Sequence, residues 1–252
     1  MKITGHLCSI GFREAAELGI DNLEHGILVN TEFVPDKEPD VCPSSRATRE
    51  SLLALDVQGE EVQTTIRMLV EHGVAITSTL PVYEISVPGR PPVNQMVLDA
   101  MAPDARESYL TRRARIGAGS GSTAAQALAL EMAFERAFVE AGGLLLAGPD
   151  PTGYGGVLPG FGNHREIELL VEAGFSPVEA VGIATRNGAL YLEELDRIGT
   201  LEVGKQADMV LLDGDPTRDI ADIRKVVTVF KDGVGYDSTK LLASVKGTVG
   251  VR

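Results

Sequence analysis

Three residues in this sequence carry types and positions that could do chemistry together. His6 ends the run "MKITGH", His25 ends "DNLEH" and Asp150 ends "LLLAGPD". Imidazole nitrogen and carboxylate oxygen suit zinc and its neighbours, and a catalytic ion keeps one position open, where the pKa of water falls to about 7. Three donors from three strand ends would fit such a site. Taken singly, a histidine after a strand is more often a hydrogen-bonded structural group, and an Asp in a Gly-Pro-Asp turn can simply cap its loop. What favours ligation is repetition: two of the four histidines take the same place in consecutive βα units, while a third strand ends in Asp.

Those positions presuppose parallel strands, because enzymes built on parallel barrels place reacting groups where the βα loops begin. Residues 2–5 read as a short strand that delivers His6. "FREAAELGI" reads as a helix with Gly19 as its C-cap, and "DNLEHG" as the next strand. Strand, loop, helix, strand is the signature of a parallel sheet. A polar loop over residues 28–49 precedes the helix "GEEVQTTIRMLVEHG" and the strand "VAITSTL". "PVYEISVPGRPPV" is too rich in proline for a central strand and reads as an excursion. Helices are predicted over residues 95–113 and 122–141, then the buried strand "LLLAGPD". A Gly- and Pro-rich loop over 151–162 leads to the helix "HREIELLVEAG" and to a helix with Ser176 as N-cap and Pro177 at its first position. From residue 198 the runs become β-type, punctuated by Gly and Asp. Two domains follow, 1–197 as α/β and 198–252 as a β appendage.

Other residues have two readings each. Tyr154 follows Asp150 in the Gly-rich loop and either closes over a ligand or packs its ring on the loop. His164 opens a helix, where capping or exposure competes with substrate contact. His72 sits at a helix end, where the dipole favours it, and reads as structural. Thr77, Ser78 and Thr79 end a strand beneath the site and either line a pocket or follow strand propensity. Cys8 and Cys42 match no zinc finger or redox pair and read as buried or semi-buried free thiols.

The formal charge is −13, with no run of Lys and Arg. Nucleic acid and anionic membrane are therefore poor partners, since both need a basic face. A small-molecule substrate or another protein fits better. No stretch reaches the roughly 20 apolar residues of a membrane span, and the first residues lack the pattern of a signal peptide, so a cytoplasmic location is expected, although an export signal could precede residue 1.

"GHLCSIGFREAAELGIDNLEHG", "AGPDPTGYGG", "REIELLVEAGFSPVEAVGIATRNGALYL" and "IGTLEVGKQADMVLLDGDP" resemble the carboxyl-terminal half of the metal-dependent amidohydrolase superfamily, in the branch holding imidazolonepropionase and the Xaa-Pro and Xaa-Arg dipeptidases. The resemblance implies a partial TIM (β/α)8 barrel, about strands 5 to 8 with their helices, plus part of a small β-sandwich. It implies that His6 and His25 are metal ligands at the ends of the fifth and sixth strands. Asp150, at the end of the eighth, would contact metal and shuttle the proton. It implies hydrolysis of a C–N bond in an amide, dipeptide or cyclic amide, with a divalent metal, zinc first and iron, manganese or cobalt as alternatives. Tyr154 and His164 are the substrate-binding candidates. The family's His-x-His on the first strand and carboxylated Lys on the fourth have no counterpart, because the likeness starts at the fifth strand. A catalytically incomplete chain is thus the alternative. A second copy or a partner chain would then cover the open edge at Ile3.

Overall fold

The computed structural model describes residues 1–117 and 122–250. In chain order its elements begin with β1 (Thr4–Gly5), α1 (Phe12–Glu17), β2 (Asn22–Glu24), α2 (Ser45–Leu53), α3 (Glu60–Glu71) and β3 (Ala75–Ser78). Then come α4 (Leu80–Glu84), α5 (Gln95–Ala100), α6 (Pro103–Gly117), α7 (Ala124–Glu140) and β4 (Leu145–Ala147). The rest is α8 (Phe161–Glu172), α9 (Pro177–Gly182), α10 (Gly188–Tyr191), β5 (Met209–Leu212), β6 (Val226–Lys231), β7 (Val234–Asp237) and α11 (Ser238–Ser244). Contacts divide the chain into two compact units.

The first unit joins Met1–Leu80 to Thr123–Gly148. Its centre is a four-stranded parallel sheet in the order β1-β2-β3-β4, the mixed α/β architecture that the alternation of runs predicts. Side chains alternate across a strand. Leu23, Ile76 and Leu145 lie side by side in register and are fully buried. On the opposite face Asn22 binds the strands together, its Nδ2 donating to Thr4 Oγ1 at 2.8 Å, Glu24 Oε1 at 3.0 Å and Thr77 Oγ1 at 2.9 Å. Between β1 and β2, α1 ends as predicted: Gly19 takes φ 85, a left-handed turn that lets Gly19 and Ile20 donate back to Ala16 and Ala15. The predicted loop over 28–49 is shorter than expected, because the Ser44 hydroxyl accepts from Ala47 N and starts α2.

The second unit joins Pro81–Ser122 to Pro149–Arg252. The helix predicted over 95–113 is two helices, α5 and α6, broken where Pro103 lacks the N–H needed to continue the first. Val97, Met101, Tyr109 and Leu158 form an apolar core around that break. Ser176 caps α9 in a reciprocal capping box with Glu179, as the sequence predicts. A π-helical turn over Ile183–Asn187 then connects α9 to α10. After residue 198 the β-type runs form a three-stranded antiparallel sheet, β5-β6-β7. No helix among the described residues is long and apolar enough to cross a membrane.

Candidate metal centre

His6 follows β1 directly and His25 follows β2 directly, and those two strands pair in parallel with Thr4 opposite Asn22 and Gly5 opposite Leu23. Adjacent strands lie about 4.8 Å apart, so residues just past their ends come together. The two imidazole rings meet edge to face with centroids 4.7 Å apart. Two rings at that spacing can both turn a nitrogen to one ion.

His25 is held from several sides. Its backbone lies in the left-handed region, φ 65, uncommon for a residue with a side chain. Its N–H donates to Thr77 O at 3.1 Å, tying the turn to β3. Its Nδ1 lies 2.7 Å from the buried hydroxyl of Thr79. A partner on one ring nitrogen fixes the ring plane and directs the other nitrogen outward, the arrangement found around metal-ligating histidines. Of the three residues that end the β3 run, Thr79 therefore orients His25, while Thr77 belongs to the Asn22 network.

Asp150 belongs to the second unit, exposed at the start of the Gly-rich loop and also left-handed, φ 44. In that loop the Tyr154 ring lies under the Arg112 guanidinium, 5.4 Å from its carbon, and so close to Gly156 that a Cβ there would sit 2.7 Å from the ring. Burial raises the Tyr154 pKa and the charges of Arg112 and Arg113 oppose it. His164 lies in the first turn of α8, where burial, then the cation of Arg224, lowers its pKa against the pull of Glu168. His72 ends α3 with Nδ1 2.8 Å from Met68 O, a helix-end contact. Among the described residues no three His, Cys, Asp or Glu side chains form a ready ion site. The pair His6 and His25 is what the fold assembles.

The second unit also holds a cavity of about 320 Å³ with Tyr109, Val97 and Phe161 in its wall. Charge closes one side. Arg165 pairs with Glu84 and with Glu168 at 2.7 Å, Arg90 reaches Glu84 at 3.3 Å, and Arg224 binds Glu168. Burial works against the Arg165 charge, yet the two carboxylates hold its pKa above the ordinary arginine value. Sequence reading missed this cluster, whose members come from four separate segments.

A family model described as the amidohydrolase family matches residues 46–235, three quarters of the chain. The chain belongs to the amidohydrolase family. Asp150, Tyr154 and His164 lie inside the matched span, and His6 and His25 precede it. Amidohydrolase structures are also its neighbours in fold. It is similar to a Xaa-Pro dipeptidase crystallised with methionine in its active site, at 22% identity and a TM-score of 0.56, over 94% of this chain and 44% of that one. It is similar to bottromycin amidohydrolase at 21% identity and a TM-score of 0.57, over 97% and 53%. A third is the A. niger ochratoxinase, at 20% and 0.52, over 90% and 39%. The chain spans about half the length of these solved chains. No curated protein matches it significantly.

The two cysteines depart from expectation. Cys8 and Cys42 are joined as a disulfide, Cα atoms 4.9 Å apart across 34 residues of sequence, and are not free thiols. The loop after β2 returns to the loop after β1, placing the two cysteines within bonding distance. Two cysteines in 252 residues give no spacing pattern from which that return could be read.

Proposed function

We propose that this chain contributes to a metal-dependent hydrolase acting on a C–N bond of a small molecule, an amide, dipeptide or cyclic amide. The observation that carries the reading is the His6 and His25 ring pair, with Thr79 on Nδ1 of His25. That donor set fits a divalent ion of the zinc class: two imidazoles, one oriented by a hydroxyl, with Asp150 as the proposed third donor. When bound, such an ion supplies Lewis acidity and lowers the pKa of water. Asp150 takes the proton of the attacking water and returns it to the leaving nitrogen. Thr79 accepts the Nδ1 proton of His25, so that Nε2 keeps its lone pair for the ion. Tyr154 and His164 are the proposed substrate contacts.

The parallel sheet is, in this reading, strands 5 to 8 of a (β/α)8 barrel, and β5 to β7 are part of its β-sandwich. A second reading has the site completed by another polypeptide bearing a His-x-His strand, or by a second copy. It is favoured by β1 and β4 forming the two edges of the sheet and by neighbours about twice as long as this chain. A cytoplasmic location and the exclusion of nucleic acid and membrane as partners remain part of the proposal.

The test is metal content per chain for the purified protein beside His6→Ala, His25→Ala and Asp150→Asn, followed by a screen of dipeptides and cyclic amides. About one ion per chain, lost with either histidine, supports the site. Metal without turnover favours the second reading. A folded chain that takes no zinc, iron, manganese or cobalt overturns the first.

A further inference from the structure

We infer that Glu131 is a positioning residue for His25: its carboxyl group, reaching in from α7, accepts the backbone N–H groups of Ile27 and Leu28 and fixes the turn that follows the imidazole. The inference rests on the reading of His25 as a metal ligand.

Glu131 is fully buried, and its Oε1 accepts from Ile27 N at 3.2 Å while Oε2 accepts from Leu28 N at 2.9 Å. The donors are 104 and 103 residues away in sequence. They open the 3-10 turn Ile27–Val29, where the first N–H groups have no partner within the helix. Glu131 therefore caps that turn from another helix, one oxygen for each donor. The approach is close enough that a Cβ at Gly26 would fall on Oε1, so Gly26 is required by the carboxylate beside it.

The energetic reason for a carboxyl group is the backbone of His25. A left-handed histidine is strained and persists only where its surroundings hold it. Thr77 O holds the N–H of His25, and Glu131 holds the two N–H groups that follow Gly26. A leucine at 131 would fill the space and leave the buried donor of Ile27 and the part-buried donor of Leu28 without this acceptor. Burial pushes the Glu131 pKa up to about 8, against the pull of the N–H groups of Leu28 and Ile27. Glu135, one turn further along α7, is fully buried as well. An apolar side chain would pack there without the cost of burying a polar group, so the carboxyl group is kept for the donors it accepts from. Anchoring the turn after His25 accounts for it.

The experiment compares the full chain with Glu131→Ala, Glu131→Gln and, as a matched loss of core packing on another helix, Ile66→Ala on α3. Three readings are taken: amide exchange at Ile27 and Leu28, the imidazole resonances of His25, and zinc affinity by chelator competition. Glu131→Ala is expected to speed exchange at both amides, shift the His25 resonances and weaken zinc at least about tenfold beyond Ile66→Ala. Glu131→Gln, which keeps one acceptor, should fall between. If Glu131→Ala does not fold, Glu131→Gln carries the comparison. Unmoved His25 resonances, or a zinc loss no larger than that of Ile66→Ala, overturn the inference. A wild type that binds no zinc removes the ligand reading of His25. The exchange and imidazole readings then still decide whether Glu131 sets the turn.

Discussion

The hydroxyl of Thr79, one residue past β3, lies 2.7 Å from Nδ1 of His25, one residue past β2. Fifty-four residues of sequence separate them, and only the parallel pairing of Glu24 with Thr77 brings them together. Thr79→Val keeps the shape and removes the hydroxyl. It should weaken zinc binding about 10- to 100-fold, whereas Thr79→Ser should stay near wild type. A chelator competition series on the three proteins checks this.

Asp150→Asn separates proton transfer from metal binding. Asn keeps an oxygen toward the ion and cannot take a proton, so activity should fall by about 10²- to 10⁴-fold while zinc is retained, more weakly than in the wild type. Metal analysis beside turnover of the best substrate decides. Parallel loss of zinc would make Asp150 chiefly a ligand.

Glu131 gives the stability of the chain a pH dependence of known sign. Burial raises its folded pKa to about 8, above the ordinary 4.5 of an exposed glutamate, so between these values the folded chain binds more protons than the unfolded one. Stability from this group is full below about 4.5 and falls as pH rises toward 8. Glu131→Gln should flatten that part of the profile. Urea midpoints for both proteins at pH 5.5 and pH 8.5 measure the difference.

The Cys8–Cys42 bridge closes a loop of 34 residues. On chain-entropy grounds Cys42→Ser should cost about 2–4 kcal/mol. The unfolded, unreduced wild type should show no titratable thiol, and two after reduction. A thiol assay and denaturant curves test both.

Ser176 donates no packing that alanine lacks, yet its hydroxyl accepts from Glu179 N while Glu179 reaches back to Ser176 N. Ser176→Ala should lower stability by about 1 kcal/mol, read as a lower midpoint with an unchanged slope.

The sequence by itself determined the alternation of strands and helices, because periodicity and caps act over a few residues. Phe12, Ala15 and Ala16 on α1, Gly19 behind it and Ser176 before α9 could each be read locally. His6, His25 and Asp150 could be picked out for the same reason, as donors that follow apolar runs. Tertiary structure alone decided what those donors touch. The hydroxyl that orients His25, the carboxyl group that caps the turn after it and the cysteine that bonds Cys8 come from 54, 104 and 34 positions along the chain. Such pairs meet through sheet register and the packing of α7, and neither leaves a periodic trace. Burial likewise belongs to the folded chain: "ALEMAFERAF" shows two ordinary helix glutamates, and only the surrounding core turns Glu131 into a group held near pKa 8.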